Sequence, residues 1–191
     1  VICFKEISQF PNSKISKLPH MTNLFNSITA FIFDVDGVLT DGTVLVLENG
    51  LQARRMSIRD GFALQLAVKT GYRVIIVSGS SPSPVVDRLN KLGVTEVHMG
   101  VLDKKSFIEA YAVKHGLKKE ELLYMGDDLP DLPAMQAVGL SSCPADAAPE
   151  IKESVQYISP VNGGAGCVRD VIEIVLKSHD RWKYHPDVAS R

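Results

Sequence analysis

Cysteine is scarce in this chain, and long apolar runs are missing. The three cysteines (Cys3, Cys143 and Cys167) lack the spacing of a metal site. Their odd, low number fits a reducing compartment, and the cytoplasm is the expected location. No apolar run approaches ~20 residues, so the sequence offers no transmembrane helix. An excess of charge is also missing. The chain has 21 Lys+Arg against 22 Asp+Glu, a formal net charge of -1. That balance argues against a surface built for nucleic acid or for a membrane. No internal repeat or low-complexity tract is present. What remains is enough ordinary sequence for one domain around one core.

Residues 1–27 stand apart. They lack a sustained period, contain Pro11 and Pro19, and have no apolar stretch long enough for a signal peptide. They are expected to form a poorly ordered extension. Met21 is read as the start, with residues 1–20 as leader; a targeting presequence is disfavoured by their lack of arginine. Residues 28–178 form the expected domain, and 179–191 a C-terminal tail.

From Ala30 onward, apolar strands alternate with amphipathic helices. The strand-like runs are Ala30–Asp34, Arg73–Ser78, Glu96–Met99, Leu122–Gly126 and Gly139–Ser141. The helix-like runs are Gly61–Thr70, Pro82–Leu92, Lys104–His115, Leu129–Val138, Ala147–Glu153 and Ala165–Ser178. This alternation predicts an α/β, Rossmann-like fold: a mainly parallel sheet with helices on both faces. One insertion breaks the rhythm. Thr43–Leu47 and Leu51–Ser57 flank Glu48-Asn49-Gly50, and Asn-Gly signals a small β-hairpin with a type I′ turn.

The chemistry is concentrated at strand tips. Asp34-Val35-Asp36-Gly37 follows the apolar run Ala30-Phe31-Ile32-Phe33. Two carboxylates two residues apart repel each other, so a cation, a shared proton or both must compensate them. Gly126-Asp127-Asp128-Leu129-Pro130-Asp131 follows a second apolar run, which brings up to five acids to one pole of the sheet. All-oxygen ligands of this kind suit Mg2+ better than zinc. Asp128 and Asp131 also suit helix N-caps. Ser78-Gly79 ends a third apolar run and suits an anion, although it also reads as a plain loop. Lys104 opens a helix against the macrodipole, as a lysine reaching an anion or as a solvated one.

Together these segments resemble the haloacid dehalogenase-like phosphohydrolase superfamily. Asp34-Val35-Asp36-Gly37-Val38 is similar to its first motif, Ser78 to its second, Lys104 to its third and Gly126–Asp131 to its fourth. The resemblance implies a phosphatase with Asp34 as nucleophile and Asp36 as general acid and base. It implies Mg2+ held by Asp34, the Asp36 carbonyl and Asp127, with Asp128 supporting. Ser78, the Gly79 amide and Lys104 are then the phosphate ligands, and Asp131 orients Lys104 or the loop. The hairpin, Ile58-Arg59-Asp60-Gly61 and Gly163-Gly164-x-Gly166 resemble the subgroup acting on 3-deoxy-D-manno-octulosonate 8-phosphate, a sugar of lipopolysaccharide synthesis. That subgroup implies a homotetramer assembled through its hairpins, with Arg59 and Asp60 near the substrate. Ser80 and Ala165 stand where the subgroup usually has arginine; Arg54, Arg55 or Arg59 are candidates to compensate. A nine-carbon 2-keto-3-deoxy sugar-acid phosphate is the alternative substrate. A non-catalytic phosphoacceptor domain is the alternative of another class, and the second aspartate of Asp34-x-Asp36 argues against it.

Overall fold

Six short strands build one parallel sheet in the computed structural model of the chain, which describes residues 24–188. They are β1 (Ala30–Phe33), β4 (Arg73–Ser78), β5 (Glu96–Met99), β6 (Leu122–Met125), β7 (Leu140–Cys143) and β8 (Tyr157–Ile158). Their spatial order is β5-β4-β1-β6-β7-β8, and every neighbouring pair is parallel. The remaining strands, β2 (Leu45–Val46) and β3 (Gln52–Ala53), pair only with each other.

Helices cover both faces. They are α1 (Ile58–Lys69), α2 (Pro84–Lys91), α3 (Lys104–His115), α4 (Leu132–Gln136), α5 (Pro149–Ser154) and α6 (Cys167–Ser178). Side chains alternate across a strand, so each strand feeds two cores. Phe31, Phe33, Val74, Ile76 and Leu123 pack towards α1, α2 and α6, against Leu64, Leu89 and Val171. Ala30, Ile32, Ile75, Val77 and Tyr124 pack the other way, against Ile108 of α3, Met135 of α4 and Ile151 of α5. With both faces covered, the central strands have no wet side, which explains their unbroken apolar runs.

Several elements differ from expectation. The hairpin turn is not type I′, which needs φ > 0 at both central residues. Among non-glycine residues described, only Asp180 has positive φ, whereas Gly50 sits at φ +79°. Gly50 N donates to Leu47 O at 2.9 Å, and Leu47 N to Leu51 O at 2.9 Å. This is a three-residue loop closed by a left-handed glycine. The run Leu129–Val138 splits into a 3-10 turn at Leu129–Asp131 and the short α4, because Pro130 and Pro133 cannot supply interior N–H groups. Strand β8 lay unnoticed in the sequence, since two residues leave no period to read.

The body also extends beyond 28–178. Phe25 and Val188 both join the α1/α6 core. After α6, Arg181 Nη1 donates to Thr70 O at 3.0 Å, and the Trp182 ring meets Phe62 edge-on. The segment expected as a tail therefore packs on the domain as far as it is described. Met21, Cys3 and the rest of 1–23 lie outside the described residues. Phe25 is fully buried and meets Tyr157 edge-to-face. Phe25→Ala should lower unfolding stability by about 3–5 kcal/mol in urea titration. A cost near zero would place residue 25 outside the folded body.

Candidate active site

Register brings the acids together. Phe33 of β1 pairs with Met125 of β6, so Asp34 and Gly126 leave the sheet side by side. Asp34 N then donates to Met125 O at 3.0 Å. On the other side of β1, β4 ends at Ser78. Winding runs from β1 towards β5 and then restarts across β1 at β6. The carboxyl ends beside such a reversal are where α/β sheets bind ligands.

The loop Val35–Leu39 leaves β1 as a wide turn, closed by Thr40 N donating to Val35 O at 3.0 Å. Gly37 in it has φ +77°, and a Cβ there would fall inside the Asp127 carboxylate. Behind it, a Cβ on Gly163 would collide with the Gly37 carbonyl. The loop thus fits against Asp127 on one side and the glycine pair 163–164 on the other, with no space for side chains.

Lys104 is the centre of the charge arrangement. It is only 7% exposed, and its Nζ lies 2.9 Å from Asp34 Oδ2 and 2.6 Å from Asp131 Oδ1. Burial alone would lower its pKa, but Asp131 and Asp34 together raise it, so the ammonium is retained. Asp131 is itself built in: Tyr124 Oη donates to its Oδ1 at 2.6 Å, and Asp127 N to its Oδ2 at 3.0 Å. Asp34 Oδ1 accepts from Val35 N at 2.7 Å.

The acids outnumber that one ammonium. Carboxylate oxygens of Asp34, Asp127 and Asp131 lie within 4.8 Å of one another. Burial, and then Asp131, raise Asp34 to about 6 despite Lys104. Burial, Asp131 and Asp34 raise Asp127 to about 7. A hard divalent cation fits this donor set: it is all oxygen, and burial together with mutual repulsion opposes its ionisation until positive charge is supplied.

Asp36 faces elsewhere. Arg54 Nε donates to its Oδ1 at 2.6 Å, and Ser80 Oγ to its Oδ2 at 2.6 Å. Burial pushes its pKa up, but Arg54 and Ser80 outweigh that and lower it. Ser78 is buried at the β4 tip, where its Oγ accepts from Ser80 N at 3.1 Å. Gly79 is exposed beside it.

Three expected site residues are placed differently. Asp128 is exposed, and its Oδ1 accepts from Leu129 N at 2.8 Å; it caps the 3-10 turn, and Asp131 takes the place in the acidic group. Asp60 is buried with its Oδ1 accepting from Arg169 N at 2.7 Å. It caps α6, whose own N-cap residue, Gly166, has no side chain to offer. Arg59 is exposed and lines a cleft of about 370 Å³ with Ala165 and Arg169. Sequence reasoning missed Tyr124 and the Ser80–Asp36 contact. Tyr124 had a signal: a phenol inside a buried strand needs a hydrogen-bond partner.

The comparisons with known proteins identify the family. A family model described as haloacid dehalogenase-like hydrolase matches residues 95–172. The 3-deoxy-D-manno-octulosonate 8-phosphate phosphatase of Salmonella typhimurium is 34% identical over 158 residues, 83% of this chain and 84% of that one. The chain belongs to the haloacid dehalogenase-like hydrolases. Within that family it is a phosphoric monoester hydrolase similar to these phosphatases, which sets aside the phosphoacceptor reading. A solved Moraxella catarrhalis phosphatase of the same name, in complex with a magnesium ion, a phosphate ion and a KDO molecule, superposes with TM-score 0.80. It is 30% identical, and the match covers 83% of this chain and 91% of that one. A hypothetical protein of Xanthomonas campestris superposes at 0.85, with 34% identity over 91% of this chain and 95% of its own.

The acidic group makes stability depend on pH in a defined direction. A folded-state pKa raised above the unfolded value means stability present at low pH and lost as pH rises through the folded value. For Asp127 that window runs from the ordinary carboxylate value of 3.8 to about 7. In chelator, the melting temperature of Asp127→Asn relative to wild type should therefore climb between about pH 4 and 8. In Mg2+, wild type should gain melting temperature and the variant should gain little. Thermal scans across that pH range check both, and a flat difference would mean that Asp127 is not under repulsion.

Proposed function

We propose that this hydrolase removes phosphate from 3-deoxy-D-manno-octulosonate 8-phosphate, in lipopolysaccharide sugar synthesis, with Mg2+ as its cofactor. The observation that carries the reading is the pair of neighbouring aspartates held in opposite settings. Asp34 is buried against Lys104, and Asp36 is turned to Arg54 and Ser80 at the mouth. On this reading one attacks and the other exchanges protons. The Moraxella catarrhalis complex supports the substrate class.

An oxygen of Asp34 attacks phosphorus, and the ester P–O bond breaks. Asp36, protonated, gives its proton to the departing alkoxide. An aspartyl-phosphate results. Water then attacks phosphorus, its proton passes to Asp36, and the bond to Asp34 breaks to release phosphate. Lys104, Ser78 and the Gly79 amide are the donors for the phosphoryl oxygens, whose charge they stabilise. Asp34, Asp127 and the Asp36 carbonyl would hold Mg2+, with Asp131 beside them. When bound, the cation supplies charge neutralisation between carboxylate and phosphate. Asp131 positions Lys104, as its 2.6 Å contact supports.

Ser80 and Ala165 stand where cations are expected for a sugar-acid carboxylate, and the nine-carbon 2-keto-3-deoxy sugar-acid 9-phosphate is kept as a second reading. A phosphate-release panel of sugar-acid and neutral sugar phosphates decides between them. Free, buried Cys143 and Cys167 support a cytoplasmic setting. Among the described residues, no helix is long and apolar enough to cross a membrane.

Asp34→Asn should retain the fold and keep less than about a hundredth of wild-type turnover, measured as phosphate release with Mg2+. More activity than that would remove Asp34 as the nucleophile.

The partner in assembly is a second copy of the chain, and the proposed state is a homotetramer. The hairpin exposes Leu45 by 63%, Val46 by 67% and Leu51 by 62%, with Val44 and Leu47 both at 41%. A two-stranded hairpin is marginal alone, and such a patch suits an interface. Val44→Lys with Val46→Lys, or Leu45→Lys with Leu47→Lys, should shift light scattering from tetramer towards smaller species. Tetramers in both double variants would place assembly elsewhere.

A further inference from the structure

Both oxygens of Asp36 accept hydrogen bonds, although its side chain stays 35% exposed. Arg54 Nε holds Oδ1 at 2.6 Å, and Arg54 Nη2 reaches Oδ2 at 3.4 Å. Ser80 Oγ takes Oδ2 at 2.6 Å. An acid that serves the leaving group must turn one oxygen to the ester. The two-pronged contact with Arg54 competes with that turn.

Arg54 also lines a cleft of about 520 Å³ between the hairpin stem and the start of α2. The lining of this cleft includes Arg54, Arg55 and Arg88 and no carboxylate. Its volume suits a small ligand, and its charge suits an anion. A second carboxylate entering it would meet the guanidinium that Asp36 holds and could take the same two-pronged contact. Arg54 can change partner without the stem moving. The Thr40–Met56 bridge joins the stem's backbone to the loop that carries Asp36.

We propose that Arg54 is a specificity-determining residue that passes from Asp36 to the anionic group at the far end of the substrate, and so releases Asp36 for the leaving group. The identity of that anion as a sugar carboxylate rests on the function proposed above. A neutral sugar phosphate cannot draw Arg54 away. Discrimination should then appear in kcat as well as in KM.

The test compares wild type, Arg54→Gln and Arg54→Lys on 3-deoxy-D-manno-octulosonate 8-phosphate and on glucose 6-phosphate, with melting curves to verify folding. Arg54→Gln should raise kcat on glucose 6-phosphate several-fold, because Asp36 is no longer held. On the sugar-acid phosphate the same change should raise KM about ten- to a hundredfold, the size of a lost charge-assisted contact. Arg54→Lys should keep part of the discrimination. Equal loss of kcat on both substrates in Arg54→Gln, with their ratio unchanged, would overturn the proposal and leave Arg54 a fixed support for Asp36. Should Arg54→Gln fail to fold, Arg54→Lys decides alone: discrimination unchanged from wild type overturns the exchange. If wild type shows no preference for a sugar-acid phosphate, the functional reading fails. The exchange is then judged on glucose 6-phosphate, where unchanged or lower kcat in the variant overturns it.

Discussion

Lys104 carries its ammonium almost out of solvent, and a buried charge that loses its partner costs several kcal/mol. Its partners are Asp34 and Asp131, from the tip of β1 and the turn after β6. The rest of the pole is arranged around this contact. Asp131 is fixed by Tyr124 and by the Asp127 amide, so the β6 turn holds the lysine's position. Lys104 opens α3, where a cation opposes the macrodipole. Asp103, whose Oδ1 accepts from Ser106 N at 3.0 Å, offsets that with the opposite charge at the cap. Burial first, and then the excess of acids over one ammonium, raises the pKa of both Asp34 and Asp127.

Much of this was legible in the sequence, for a physical reason. A strand buried on both faces is an apolar run, and an acid at its end stands out against that run. Asp34 and Asp127 were visible in this way, as were Ser78 at the end of β4 and the bounds of α3. Residues whose role depends on a distant backbone were not visible. Asp60 reads like a site residue beside Arg59, yet it caps α6, more than a hundred residues away in sequence. Asp128 and Asp131 are both acids in one turn, and only the path of that turn decides which points inward. The hairpin was legible as a hairpin, but its loop closes with three residues rather than two.

The hairpin depends on the catalytic loop as much as the loop depends on the sheet. Its two paired residues per strand could not persist alone in water. Arg54–Asp36, Arg55–Asp41 and the Thr40–Met56 bridge tie its stem to the segment that carries the aspartates. The Arg55 pair is exposed and contributes little by itself. The Arg54 pair is sheltered and two-pronged, the geometry in which an ion pair gains most. Whatever covers the hairpin's apolar side therefore acts on a segment joined directly to Asp36.

Ser80 connects these observations. An arginine at that position would put its cation just beyond the carboxyl end of β4, an interior strand. The serine's hydroxyl donates to Asp36 instead. The cation beside Asp36 comes from Arg54, on the hairpin stem. Positive charge at the mouth thus sits on an element that the sheet does not hold. The strand tips carry the acidic group, and their geometry is set by the core. The hairpin and the start of α2 line the cationic cleft, and their geometry is set by the loop contacts and by what packs on the hairpin. A chain built this way can change what its cationic cleft admits by altering residues near 52–56 and 83–88, leaving Asp34, Asp127, Asp131 and Lys104 where the sheet places them.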